Sequence, residues 1–287
     1  MATTGPSSIM MPVDLGTAEF VPDPRRPRAW TLLIDGVAQS YVDLDRPTHL
    51  EFEYARRVAA VVDVVTRRAE AIRALHLGGG GLTLPRYVAA TRPGSAQRVV
   101  ERDATLSEAV GRILPLPGDA RIEVLIGDAR EEATRPDPVG EDRGRFDLVV
   151  ADVYQAAQMP AQVATVEFAE GVRGLLADTG LYVLNVTDLP GLTLSRVQAA
   201  TLRGVFADVA VIGQPGMLRG RRFGNVVLAA SPRPGGLPVS RLTAALRDAE
   251  GGGARLVHAA ELDDFVAGAR PFTDSAAGVR LRPTWRD

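Results

Sequence analysis

Four consecutive glycines, Gly78, Gly79, Gly80 and Gly81, follow the apolar segment Leu75-His76-Leu77, and the acid Glu101 closes a second apolar segment 20 residues further on. Glycines at the end of a strand let the backbone approach a ligand closely, and the helix that follows presents free N–H groups to it. An acid at the tip of the next strand accepts hydrogen bonds from a ribose diol. The pattern continues with Asp128 in Gly127-Asp128-Ala129 and with Asp152 after the apolar run 147–151. Each acid taken alone also suits a helix cap or a turn. As an ordered set at four strand ends they point to a nucleoside, with Asp128 placed for a base amino group and Asp152 beside the reacting end.

Such a set needs strands that alternate with helices. Apolar runs at 71–77, 97–100, 122–126, 147–151 and 181–186 alternate with helical segments, which predicts a parallel, doubly wound α/β sheet. Runs at 205–212 and 225–230, joined by the Gly- and Arg-rich stretch 213–224, predict a terminal strand pair, giving a Rossmann-like, seven-stranded sheet of the methyltransferase type. Upstream, 30–34 and 37–42 flank Asp35-Gly36, a strong two-residue turn signal, so residues 29–46 are expected to form a small N-terminal β-hairpin module. Pro47-Thr48 then opens a helix whose apolar positions Leu50, Tyr54, Val58, Val61, Val62 and Val65 recur at helical spacing. Residues 1–28, rich in Pro, Ser and Thr, read as a loose arm; 47–232 as the ligand-binding domain; and 233–287 as an extension with one helix near 240–249 and a loop-like remainder.

Composition narrows the function classes. A chain of 287 residues with 46% hydrophobic content buries a large core, and a net charge of −2 gives no reason to expect nucleic acid as a partner. The absence of cysteine removes thiol nucleophiles, disulfides and thiolate metal sites, and three histidines make a metal site unexpected. With neither a membrane-length apolar run nor a leader pattern, the chain reads as cytoplasmic, without a membrane partner.

Residues 72–154 resemble the polyamine aminopropyltransferases, or spermidine synthases, and their relatives, with a weaker likeness over 30–230. The matches are Gly78-Gly79-Gly80 to a GGGDGG loop, Val100-Glu101-Arg102-Asp103 to a V-E-x-D segment, Gly127-Asp128-Ala129 to a G-D-[AG] turn, and Asp152 to the first acid of a D-x-x-D loop. The resemblance implies S-adenosylmethionine or its decarboxylated form as cofactor and a small-molecule acceptor. It also implies cofactor contacts from Gln39, His49, Gly78 to Gly81, Glu101, Arg102, Asp128, Ala129 and Asp152, catalytic roles for Asp152 and Tyr154, and a homodimer. The departures are chemical: Gly81 stands where the loop has its amine-binding aspartate, Gln155 replaces the second acid, and Thr48-His49 takes the place of a Tyr-His pair, so the tyrosine is missing. With an amine anchor lost and a bare Gly81 amide left to receive a carboxylate, methyl transfer from the intact cofactor is the leading expectation. Aminopropyl transfer and a non-catalytic homologue are the alternatives. His76 reads as a core residue with a hydrogen-bonded ring. Arg219, Arg221 and Arg222 read as a solvated hairpin tip, with an anionic substrate as the second reading.

Overall fold

The computed structural model describes residues 7–135, 144–155, 158–248 and 253–278. The chain begins with β1 (Ile9–Val13), β2 (Gly16–Asp23), β3 (Arg26–Ile34) and β4 (Val37–Asp43), an antiparallel sheet in sequential order. The loose arm expected over 1–28 is therefore corrected from residue 9 onward. Its prolines are placed where a strand tolerates them: Pro12 on the edge strand, Pro22 at a register shift between β2 and β3. The period-two pattern is also present, since Ala18 and Phe20 of β2 are fully buried while their neighbours are not. Asp35 and Gly36 turn β3 into β4 with φ of +48° and +77°, the conformation such a two-residue hairpin turn demands.

The second layer system runs α1 (Glu53–Val65), β5 (Arg73–Leu77), α2 (Thr83–Thr91), β6 (Ala96–Glu101), α3 (Ala104–Ile113), β7 (Arg121–Ile126), α4 (Ala129–Thr134) and β8 (Phe146–Ala151). It continues with α5 (Val166–Leu175), β9 (Leu176–Asp188), α6 (Thr193–Val205), β10 (Asp208–Gly213), α7 (Pro215–Leu218), β11 (Gly224–Ser231), α8 (Val239–Asp248), β12 (Arg255–Val257) and α9 (Ala260–Val266). The sheet order is β12-β10-β11-β9-β8-β5-β6-β7; strands β5 to β9 pair in parallel, and β11, β10 and β12 pair antiparallel. The sheet has eight strands rather than the expected seven, because β12 adds to β10 from the segment read as loop. The periodic signal was weak there: β12 is three residues long and follows glycines.

Alternate residues of the central strands feed two cores. Leu75, Val149 and Tyr182 face α5 and α6, whereas Ala74, Leu148 and Val150 face α1 and α2. The tail belongs to these cores, since Leu262, Phe265 and Val266 of α9 pack into the first and Leu242 and Leu246 of α8 into the second. A third cluster joins Phe20 and Leu32 of the small sheet to Leu106, Ala109 and Val110 of α3, fixing that sheet over the strand ends. Past α9 the chain returns: the Phe272 N–H donates to Thr201 Oγ1 at 3.0 Å, and Arg130 Nη1 donates to Asp274 at 3.0 Å. Among the described residues no helix is long and apolar enough to cross a membrane.

Candidate active site

The C-terminal ends of β5, β6, β7 and β8 open into one cleft of about 640 Å³, closed from the other side by β4 and the first turns of α1. Gly78 and Gly80 adopt φ of +94° and +48°, and a Cβ on Gly78 would stand 2.3 Å from the Asp152 carbonyl oxygen. These glycines let β5 and β8 deliver their ends to the same place. The Gly79 and Gly80 amides both donate to Glu101 Oε2 at 3.0 Å, and the Asp103 amide donates to Oε1 at 2.9 Å. Glu101 is thereby aimed along the glycine turn. Asp128 lines the cleft beyond it and caps α4, accepting from the Arg130 and Glu131 amides at 2.8 and 3.3 Å. Ala129 and Gln39 also line the cleft, and Arg102 stands at its rim, exposed and without a hydrogen bond or ion pair among the described residues.

Two expected ligand contacts are corrected. Gly81 does not line the cleft: its amide donates to Ser40 Oγ at 2.9 Å, and a Cβ there would come within 2.8 Å of Ser40 Cβ. That amide is occupied, so Gly81 is not a receptor for a carboxylate; the room that a loop aspartate would need is filled by β4. His49 also lies outside the cleft, edge-on to Tyr41 at 5.7 Å with Nε2 3.1 Å from Glu51. The reason is that α1 begins at Glu53, not at Pro47-Thr48, which leaves His49 closing the preceding turn, its amide donating to the Arg46 carbonyl at 2.8 Å.

The same shift brings in a residue that sequence reasoning read as apolar core. Tyr54, in the first turn of α1, reaches the carboxyl of Asp152, and burial followed by the nearby carboxylate holds its phenol well above the usual range. A tyrosine therefore does stand at this end, contrary to expectation. Asp152 also accepts from Asn185 Nδ2 at 2.9 Å, and Asn225 Nδ2 in turn donates to Asn185 Oδ1 at 3.2 Å and Thr187 Oγ1 at 3.0 Å. Loss of hydration raises the Asp152 pKa, partly offset by the Asn185 and Tyr54 bonds. Asn185 carries a signal that was legible, an amide inside the buried run Leu184-Asn185-Val186. Tyr154 lines the cleft; its hydroxyl donates to the Asn185 carbonyl at 3.0 Å and accepts from the Thr187 amide at 2.6 Å, which makes it a strut for β9.

His76 sits in the core as expected, with Nε2 2.9 Å from Gln97 Oε1, and burial lowers its pKa to about 4. Among the described residues no group of three or more His, Asp or Glu side chains is arranged to hold a metal ion.

No family model matches the chain. It superposes on the crystal structure of a probable spermidine synthase from Corynebacterium glutamicum with a TM-score of 0.83 and 30% identity, over 98% of this chain and 100% of the other. It is 27% identical over 157 residues to the polyamine aminopropyltransferase of Vibrio vulnificus, covering 55% of this chain and 50% of that protein. It is also 27% identical over 146 residues to the eEF1A lysine and N-terminal methyltransferase of Danio rerio, covering 48% of this chain and 21% of that protein. The chain thus spans half or less of the length of the curated relatives it matches.

Proposed function

The chain belongs to the spermidine synthase-like family, and from that premise we propose that it is a transferase that binds S-adenosylmethionine and passes its methyl group to a small-molecule acceptor. The observation that carries the reading is the row Gly78 to Gly80, Glu101, Asp128 and Asp152, contributed by four successive strand ends to one cleft. The cradle fits an adenosyl group. Side chains at Gly79 and Gly80 would crowd Glu101 and Ser40, Glu101 is positioned to accept from ribose hydroxyls, and Asp128 to accept from an adenine amino group.

When bound, a sulfonium supplies an electrophilic carbon and leaves as a neutral thioether. The protein's share is orientation and proton handling. Asp152, its carboxyl made more basic by lost hydration, orients the nucleophile and takes its proton as the new bond forms. Asn185 and Tyr54 hold that carboxyl in place, and Asn225 and Tyr154 hold Asn185 and its strand. Methyl transfer is favoured over aminopropyl transfer because Ser40 occupies the place from which a loop carboxylate would anchor an amine. Aminopropyl transfer is the second reading, and the Tyr54–Asp152 pair together with the full-length likeness to the Corynebacterium protein favours it.

Calorimetric titration with S-adenosylmethionine, decarboxylated S-adenosylmethionine and methylthioadenosine separates these readings. The intact cofactor is expected to bind more tightly than the decarboxylated one, and Asp128→Ala to weaken all three about tenfold. Preference for the decarboxylated donor would establish the second reading, and no binding by any would leave a non-catalytic homologue.

A further inference from the structure

We propose that the acceptor carries a carboxylate at the end remote from its nucleophile, held by Arg222 at the mouth of the cleft, with an apolar or aromatic body lying on Phe223. The inference rests on Asp152 marking the end where transfer occurs.

Of the three arginines in the turn before β11, Arg222 lines the cleft and Arg219 and Arg221 do not. Its stem passes close to Gly216 of α7, where a Cβ would stand 3.0 Å from Arg222 Cδ. The guanidinium stands exposed at the rim and makes no hydrogen bond or ion pair among the described residues. Phe223 beside it is 59% exposed while lining the same opening. Both lead directly into Asn225, whose amide is bonded to the Asn185 that orients Asp152. The rim and the reacting end therefore belong to one short stretch of chain.

Glu53, on this side, is matched by Arg57 at 2.7 Å and by Gln214 at 2.9 and 2.8 Å, Glu51 has only the His49 ring at 3.1 Å, and position 155 is a glutamine. A diamine's distal ammonium would find Glu53 already held by Arg57 and would meet the Arg222 guanidinium at the mouth. A carboxylate at that distance finds a guanidinium able to bind it in two-pronged fashion, beside an aromatic face.

Two rigid isosteres read this directly: 4-(aminomethyl)benzoate and 1,4-bis(aminomethyl)benzene, titrated by calorimetry with and without methylthioadenosine. The benzoate is expected to bind at least about tenfold more tightly than the diamine. Arg222→Glu is expected to reverse that order and Arg222→Lys to retain part of it. Tighter binding of the diamine, an unchanged ratio in Arg222→Glu, or failure of both probes would overturn the proposal. Because the probes are also titrated without nucleoside, failure of methylthioadenosine to bind counts against the donor reading alone.

Discussion

In the proposed reaction Asp152 is where burial is converted into reactivity. Its raised pKa means that the carboxylate, which that proposal makes the proton acceptor, is lost, as pH falls, earlier than for an ordinary aspartate. The rate is therefore expected to fall on the acid side with a midpoint above 3.8, and Asp152→Asn to abolish that limb while lowering kcat by roughly 10²- to 10⁴-fold. The same substitution is expected to leave thermal stability unchanged or higher at neutral pH, because it removes a charge that burial disfavours. His76 makes the opposite prediction about stability. Its folded pKa of about 4 lies below the ordinary 6.5, so its contribution is complete above 6.5 and is lost as the pH falls toward 4, by on the order of 3 kcal/mol. Melting curves of His76→Leu against pH are expected to lack that decline, and an undiminished decline would assign it to other groups. The strand-end acids were legible because each interrupts an apolar run at its end. Tyr54 was not, because its position also satisfies the three- and four-residue period of α1, and periodicity carries no information about a hydroxyl.

The contact between β4 and the glycine turn shows how one element sets the chemistry of another. Ser40 accepts the Gly81 amide and fills the space beside it. Gly81→Asp is accordingly expected to destabilise the fold by roughly 1–3 kcal/mol, measured by denaturant unfolding, and Ser40→Gly in the same chain to recover much of the loss. If the double variant also gains affinity for decarboxylated S-adenosylmethionine, the choice of donor is made by the small sheet. A single Gly81→Asp variant as stable as the parent would show that β4 yields easily. The alternation of strand and helix from β5 to β9 was readable because buried parallel strands are near-continuous apolar runs. β1 and β2 were hidden by Pro12 and Pro22, residues whose edge and bulge positions follow from pairing partners and not from local sequence.

At the scale of the molecule, the small sheet and the eight-stranded sheet meet around one cleft, and the returning tail ties to Arg130 behind its wall. The homodimer implied by resemblance is a separate expectation, which light scattering decides. The tail makes a sharper prediction. Arg130, two residues from Asp128, donates to the Gln162 carbonyl, to Thr165 Oγ1 and to Asp274. Truncation after residue 270 is expected to lower the melting temperature by exposing the pocket of Phe272, and Asp274→Ala to raise the donor KM several-fold at unchanged kcat. A larger effect on kcat would place the tail's influence at Asp152 instead. The extent of the tail's involvement was not legible, since Phe272 and Asp274 acquire meaning only from partners 71 and 144 residues away. Arg130 also gives the fold an order in time. The strand ends that carry Gly78 to Asp152 leave the ribosome well before residue 274, so Arg130 finds Gln162 and Thr165 first and Asp274 last, and on the proposed reading a nascent chain is expected to hold its donor less tightly than one that extends past Asp274.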